Sequence, residues 1–159
     1  PTSSEKEQLL EITRYSTWAG VAAIARPRAR VNDIGAAIED AVESFSERFG
    51  WTAGIVEEFT GHGIGTAMHQ APDVFSFRTA GRSAAIKPGM VLCVEPILTR
   101  GSNRVTTLAD DWTVKTQDHA LACHWEAQVA VLPEGICVLN QPDFGQAALA
   151  PFGIKPVKL

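Results

Sequence analysis

The sequence predicts an α+β fold with an antiparallel sheet and two main helices. Helix-type patterns fill residues 1–50, and short apolar runs of strand type occupy most of the rest. Gly, Pro, Asp and Asn separate these runs, as they do in chains that turn back repeatedly between strands. Helices that precede a series of strands, instead of alternating with them, are typical of the α+β class.

Two helices are expected before residue 50. The first runs from about Ser4 to Ala25, because Ser4-Glu5-Lys6-Glu7 has the form of a capping box and the next proline is Pro27. The second is capped by Asn32 and ended by Gly50. Spacings of four and three mark the face that it buries, formed by Ile34, Ile38, Val42, Phe45 and Phe49.

Strands are expected in five short apolar runs, near residues 54–59, 90–95, 104–108, 123–131 and 136–139. After Asn140 the sequence has three prolines and weak periodicity, which predicts an extended tail that wraps over another surface. The chain therefore divides into a domain over residues 1–140 and a tail over residues 141–159.

Composition narrows the classes of function. With 159 residues, 45% hydrophobic content and a net charge of −4, the chain has the composition of an ordinary globular protein. The basic residues are scattered, which argues against nucleic-acid and membrane binding, and the one basic run, Arg26–Arg30, is interpreted as a solvated turn.

The three cysteines indicate a reducing compartment. Cys93, Cys123 and Cys137 have no CxxC spacing, and each lies in an apolar run. Buried reduced thiols are therefore expected, which predicts a cytoplasmic location.

The segment GHGIGTAMHQAP, residues 61–72, places glycines on both sides of His62. Because glycine has no side chain, we expect these positions to leave room for a metal or a substrate to approach the imidazole. A dinucleotide loop is a poor alternative, since the GxGxxG fingerprint is absent, and no GxSxG serine elbow occurs either. The adjacent Cys123 and His124 point to opposite faces of a strand, which argues against a thiol protease.

Two carboxylates fall within apolar strands. Glu95 interrupts the run Met90–Leu98, and a buried ionised carboxylate needs an arginine or a metal to compensate its lost hydration. In the run 123–131, period-two alternation sends His124, Glu126 and Gln128 to one face. A buried salt bridge is the simplest explanation of Glu95. His62, Glu95 and Glu126 together form a ligand set that suits Mn, Fe, Co or Zn, with open positions for water.

These residues belong to separated segments that resemble the type I methionine aminopeptidases. The segments are GHGIGTAMHQAPDV, IKPGMVLCVEPILTRG, TTLADDWTVKTQD and the strand with Glu126, and the similarity runs from about residue 3 to 140. The resemblance implies the C-terminal half of a pita-bread fold. It also implies metal-dependent removal of N-terminal methionine from peptides and nascent proteins.

The resemblance assigns roles to site residues. It makes His62, Glu95 and Glu126 three of the five ligands of two divalent ions, with Glu95 also shuttling a proton. It implies that His69 hydrogen-bonds the substrate. It implies that Met68 and Trp112 line the methionine pocket.

The family's other two ligands are aspartates that precede the first helix, before Pro1 of this sequence. We therefore expect a partner, either an N-terminal half or a second copy of the chain, and an inactive chain without it. In two places the sequence departs from the family, which has Glu-His-Thr where Glu126-Ala127-Gln128 stands and His-Glu where His69-Gln70 stands. An alternative is a non-peptidase homologue, acting as a binding module or a specialised enzyme. A prolidase-like peptidase is a third, disfavoured by Trp112.

Overall fold

The structure is a computed structural model that describes residues 4–159. It has two long helices, ten short strands and two short helical turns near the C-terminus. The helices are α1 (Ser4–Ile24), α2 (Val31–Phe49), α3 (Gln146–Leu149) and a 3-10 helix (Ala150–Phe152). The strands are β1 (Gly54–Ile55), β2 (Gly61–Gly63), β3 (Gln70–Val74), β4 (Val91–Val94), β5 (Ile97–Thr99), β6 (Val105–Thr107), β7 (Val114–Thr116), β8 (Ala122–His124), β9 (Ala127–Leu132) and β10 (Gly135–Val138). The α+β class with two main helices is confirmed.

Both long helices end where predicted, and α1 is helical from Ser4, the first residue that the structure describes, so a cap at Ser4 stays a prediction. The start of α2 differs from the prediction. Asn32 lies inside α2, where its side-chain amide donates to the carbonyls of Thr79 and Gly81. The residue that precedes α2 is Arg30, in extended backbone, and its N–H donates to the Asp33 carboxylate at 2.7 Å.

The predicted apolar stripe of α2 is the face that it buries. Ile34 and Ile38 are completely buried, and Val42 and Phe45 are nearly so. Gly50 ends the helix with a φ of 72°, a left-handed conformation that glycine adopts without strain.

All strand pairs are antiparallel, as predicted. The largest sheet has the order β10-β9-β4-β2-β3, a second has the order β1-β5-β8, and β6 pairs with β7. Strand β4 is central, with β9 on one side and β2 on the other. In this register Cys93 faces Gln128 and Val94 faces Ala127, which brings the end of β4 to the start of β9.

The strand predictions missed several elements. The run 123–131 is two strands, because the chain leaves the three-stranded sheet after His124 and enters the five-stranded sheet at Ala127. Four further strands, β2, β3, β5 and β7, were not predicted. Strands β2 (GHG) and β3 (QAPDV) contain no apolar run, so tertiary pairing and not local pattern makes them extended.

The main hydrophobic core lies between the long helices and the five-stranded sheet. It contains Trp18 and Val21 of α1, Ile34 of α2, Leu92 of β4 and Val129 of β9. A second cluster joins the start of α1 to the end of α2 and to Leu98 of β5. None of the helices in residues 4–159 combines the length and apolar character that crossing a bilayer requires.

The expectation of an extended tail is wrong for residues 146–152, which are helical. Asp143 starts this segment, because its carboxylate accepts from the N–H groups of Gly145 and Ala147. Leu149 is completely buried in the main core. Further on, the Val157 N–H donates to the Ile136 carbonyl of β10 at 2.8 Å. The division of the chain at residue 140 remains a prediction.

Replacing Leu149 by alanine is expected to lower the free energy of unfolding by about 2 to 3 kcal/mol, because it leaves a cavity in the main core. Urea denaturation followed by circular dichroism measures the change. Leu139→Ala is the matched control, since Leu139 is 42% exposed, and its effect should stay within about 0.5 kcal/mol. Equal effects of the two substitutions would show that the C-terminal segment does not contribute to the core.

Candidate metal centre

His62 and Glu95 face each other across two neighbouring strands. His62 is the middle residue of β2, and Glu95 follows β4 directly, before Pro96 starts the turn into β5. The His62 Nε2 and Glu95 Oε1 atoms are 3.3 Å apart, and the side chains are 13% and 19% exposed. Among the described residues, both ion-pair partners of Glu95 are histidines, so no arginine or lysine compensates this carboxylate.

The hydrogen bonds of His62 determine which ring nitrogen carries a proton. Its Nδ1 lies 2.9 Å from the Gly63 carbonyl oxygen, which only accepts, so we assign the proton of a neutral imidazole to Nδ1. The lone pair on Nε2 then points at Glu95 Oε1, which is buried and has no hydrogen-bond donor within residues 4–159. Two acceptors in this position need a proton or a cation between them. At metal sites a histidine usually donates the N–H of one ring nitrogen to a carbonyl. Its other ring nitrogen faces the metal and the acidic ligands.

Cys93 belongs to the same group, although the sequence interpretation treated it only as a buried thiol. The ligand atoms of His62, Cys93 and Glu95 all lie within 4.8 Å of one another. The signal was present in the sequence, because residues two apart on a strand share a face, and Cys93 precedes Glu95 by two. Burial, followed by the negative charges of Glu126 and Glu95, raises the pKa of the Cys93 thiol to about 12. The thiol is therefore neutral near pH 7.

Glu126 lies beside this group, in the break between β8 and β9. Its negative charge is one of the causes of the raised pKa of the Cys93 thiol. Its carboxylate accepts from the Gln128 amide at 3.1 Å. The structure thus brings His62 and Glu95 together directly, with Glu126 near enough to Cys93 to raise the pKa of its thiol. In the compact group of three, Cys93 takes the place that the sequence interpretation gave to Glu126.

His124 contacts the other oxygen of Glu95. Its Nε2 lies 3.4 Å from Glu95 Oε2, and the ring is about half exposed. The hydrogen bond to Glu95 raises the pKa of His124 above its ordinary value, against the opposing effect of burial. Glu95 is therefore held between two imidazoles. The sequence placed His124 on the same strand face as Glu126 and gave it no role.

The glycines that flank His62 have a different function from the one expected. A Cβ on Gly61 would lie 2.2 Å from the Cys93 carbonyl oxygen, and one on Gly63 would lie 2.4 Å from the Ala71 carbonyl oxygen. The space beside these glycines is filled by neighbouring backbone. The expectation that they leave room for a metal or a substrate is wrong. They allow β2 to lie close to β4 and β3, and so fix the position of His62.

Of the three predicted substrate residues, His69 has an observed contact with the site. The His69 ring contacts His62 edge-on, with 4.3 Å between ring centroids. Met68 is 68% exposed, and Trp112, in the turn between β6 and β7, is 87% exposed. The turn is held by Asp110, which accepts from the N–H groups of Trp112 and Thr113. The described residues therefore do not enclose an apolar cleft between Met68 and Trp112.

Comparison with known proteins gives consistent results. The profile of metallopeptidase family M24 matches residues 1–133. Methionine aminopeptidase from Clostridium perfringens is 39% identical over 138 residues, which are 87% of this chain and 53% of the relative. Methionine aminopeptidase 1 from Mycobacterium tuberculosis is 40% identical over 138 residues, 87% of this chain and 52% of the relative. The chain spans about half the length of the curated relatives it matches.

Solved structures agree with the sequence relatives. The crystal structure of methionine aminopeptidase from Rickettsia prowazekii superposes with a TM-score of 0.76 at 28% identity, covering 89% of this chain and 54% of that one. The enzyme from Thermotoga maritima gives a TM-score of 0.76 at 26% identity, covering 88% and 53%. Prolidase from Pyrococcus furiosus gives a TM-score of 0.62 at 15% identity, which indicates a shared fold alone.

Proposed function

Because the chain belongs to metallopeptidase family M24, we propose that it supplies the main part of the metal centre of a methionine aminopeptidase. The predicted resemblance to methionine aminopeptidases and the partial pita-bread fold are confirmed by the relatives and by the solved structures. The observation that carries the proposal is the pair His62 and Glu95. An imidazole lone pair and a buried carboxylate oxygen without a donor face each other at 3.3 Å, and a cation satisfies both.

His62, Glu95 and Glu126 would hold divalent ions, with Mn, Fe, Co and Zn as the candidates that suit these donors. Bound there, such an ion polarises a carbonyl group and lowers the pKa of water. Glu95 is the residue placed to move a proton, at Oε2, where His124 lies 3.4 Å away. His124 holds Glu95 in the orientation that directs Oε1 towards His62.

The substrate proposed is the N-terminus of a peptide or nascent protein that begins with methionine. His69 would hydrogen-bond the scissile amide, a role supported by its ring contact with His62. Met68 and Trp112 would line the pocket for the methionine side chain. Both are largely exposed here, so this role requires another surface to cover them.

We further propose that a partner surface completes the site, either an N-terminal half or a second copy of the chain. One imidazole and two carboxylates carry a formal charge of −2, which neutralises one divalent ion and leaves a second unbalanced. Strand β3 is an edge of the largest sheet, and an edge of this kind accepts a further strand, whereas the other edge, β10, already accepts a hydrogen bond from the Val157 N–H. The chain alone would then be inactive. The three free cysteines support a cytoplasmic location.

A chimera tests the activity. The part of the Clostridium perfringens relative that precedes the matched region is fused to the start of this chain, and methionine release from a methionyl tripeptide is measured with Mn²⁺, Co²⁺ or Zn²⁺. We expect metal-dependent release by the chimera, and none by this chain alone or by a His62→Ala chimera. A folded, metal-bound chimera that releases no methionine would instead support a binding module or a different enzyme.

Replacing His69 by alanine in the active chimera is expected to lower the turnover number by about 10²-fold to 10⁴-fold, the range for a positioned polarising or acid–base group. The affinity for the metal should change little, because His69 contacts the His62 ring by its edge and is not in the compact group. Steady-state kinetics and metal titration separate the two effects. An unchanged turnover number would remove His69 from the mechanism.

A further inference from the structure

The inference that extends beyond the proposed activity concerns the buried thiol of Cys93. We propose that Cys93 is itself a metal ligand, and that His62, Cys93 and Glu95 form a nitrogen, sulfur and oxygen site that selects a thiophilic divalent ion such as Zn²⁺ or Co²⁺ over Mn²⁺. The inference rests on the proposed metal centre and changes its donor set. The experiment that tests it distinguishes a failure of this inference from a failure of the proposed metal centre.

Geometry is the first argument. The donor atoms of the three residues lie within 4.8 Å of one another. Ligands about 2.0 to 2.3 Å from one ion are separated by roughly 3 to 4 Å, so small side-chain movements bring all three into range. Cys93 and Glu95 share one face of β4, and His62 reaches them from the adjacent strand β2.

Cys93 is buried beside polar groups. The side chain is 1% exposed. Its neighbours on the strand, Leu92 and Val94, point the other way and belong to the main core. Cys93 lies on the polar face, opposite Gln128 in the register. A buried thiol beside an imidazole and carboxylates is in an environment typical of a metal ligand.

Charge balance is the second argument. A neutral imidazole, a thiolate and a carboxylate carry a formal charge of −2, which neutralises one divalent ion using only residues of this chain. As the metal–sulfur bond forms, the S–H bond breaks, the electron pair stays on sulfur, and the proton passes to solvent. Nothing is oxidised or reduced. Thiolate donors favour zinc and other soft ions, whereas Mn²⁺ prefers oxygen donors.

Cobalt spectroscopy tests the inference on the purified chain. Titration with Co²⁺ is expected to produce a near-ultraviolet thiolate-to-cobalt charge-transfer band in the wild-type chain. The band should be absent in Cys93→Ser, with Zn²⁺ affinity lowered at least about 10-fold and Mn²⁺ affinity nearly unchanged. Cys137→Ala is the matched control and should keep the band, because Cys137 is equally buried but lies on β10.

Each outcome decides the matter. Binding of Co²⁺ without the band, at equal affinity in Cys93→Ser, would overturn the cysteine ligand and leave the metal centre of the proposed function intact. A folded wild-type chain that binds no Co²⁺ in equilibrium dialysis would overturn the cysteine site, whereas metal-dependent methionine release by the chimera would still support the centre that a partner completes. If Cys93→Ser does not fold, the double variant Cys123→Ala and Cys137→Ala leaves Cys93 as the only thiol. The band in that variant then supports the inference, and its absence overturns it.

Discussion

Glu95→Gln is expected to weaken the binding of a divalent cation by about 10²-fold or more, because it removes the central negative charge of the site. The Glu95 carboxylate contacts both His62 and His124 and shares its strand face with Cys93. The amide has nearly the same shape, so the change tests charge and not packing. Titration calorimetry with Zn²⁺ and Co²⁺ measures the loss.

The control for this experiment is Glu134→Gln, an exposed carboxylate in the turn between β9 and β10, which should leave the affinity unchanged. Stability provides a second readout. Without added metal, Glu95→Gln should be at least as resistant to urea as the wild type, because a buried neutral amide is less unfavourable than a buried carboxylate whose Oε1 has no hydrogen-bond donor among residues 4–159. Metal affinity equal to that of the wild type would remove Glu95 from the site.

Gly61→Ala is expected to lower the free energy of unfolding by about 4 kcal/mol or more, a size seen only when a substitution breaks a specific structural requirement. The added Cβ would lie 2.2 Å from the Cys93 carbonyl oxygen, and that atom belongs to the backbone of the central strand β4. Strand β2 would have to move away. His62 would move with it, so the metal affinity should fall as well.

Gly65→Ala is the matched control in the same segment. A Cβ there would meet only the end of the Gln70 side chain, which can rotate away, so we expect a change within about 1 kcal/mol. Urea denaturation and Co²⁺ titration are applied to both variants. If Gly61→Ala is as stable as Gly65→Ala, close approach of the strands does not explain the glycine.

The sequence predicted features that depend on local pattern. The buried stripe of α2 follows directly from apolar spacing, and Gly50 ends that helix as expected. Local pattern did not identify the start of α2, because the Asn32 side chain donates to the carbonyls of Thr79 and Gly81, far along the chain. Side chains that can cap a helix also bond elsewhere, and tertiary structure decides between these uses.

The site was predictable only in part, because tertiary structure determines some of its contacts. Glu95 and His62 could be found because each is unusual in its own segment. For Cys93 the sequence held one clue, its position two residues before Glu95, but only the pairing of β4 with β9 and β2 places the thiol among polar groups. The role of Gly61 depends on a carbonyl from a strand more than thirty residues later, which no local pattern reveals.

The position of Leu149 has a consequence for the order of folding during synthesis. Its side chain completes a core that also contains Trp18, and Gly145 of the same segment lies against the Trp18 ring. Helix α1 is therefore covered by a segment that is synthesised more than a hundred residues after it. Until that segment emerges, the Trp18 side of α1 stays open to solvent and to chaperones. The strands that carry His62 and Glu95 pack on a core that stays incomplete until residues 145–149 have been synthesised, so a cation reaches an ordered site only after that segment has joined the core.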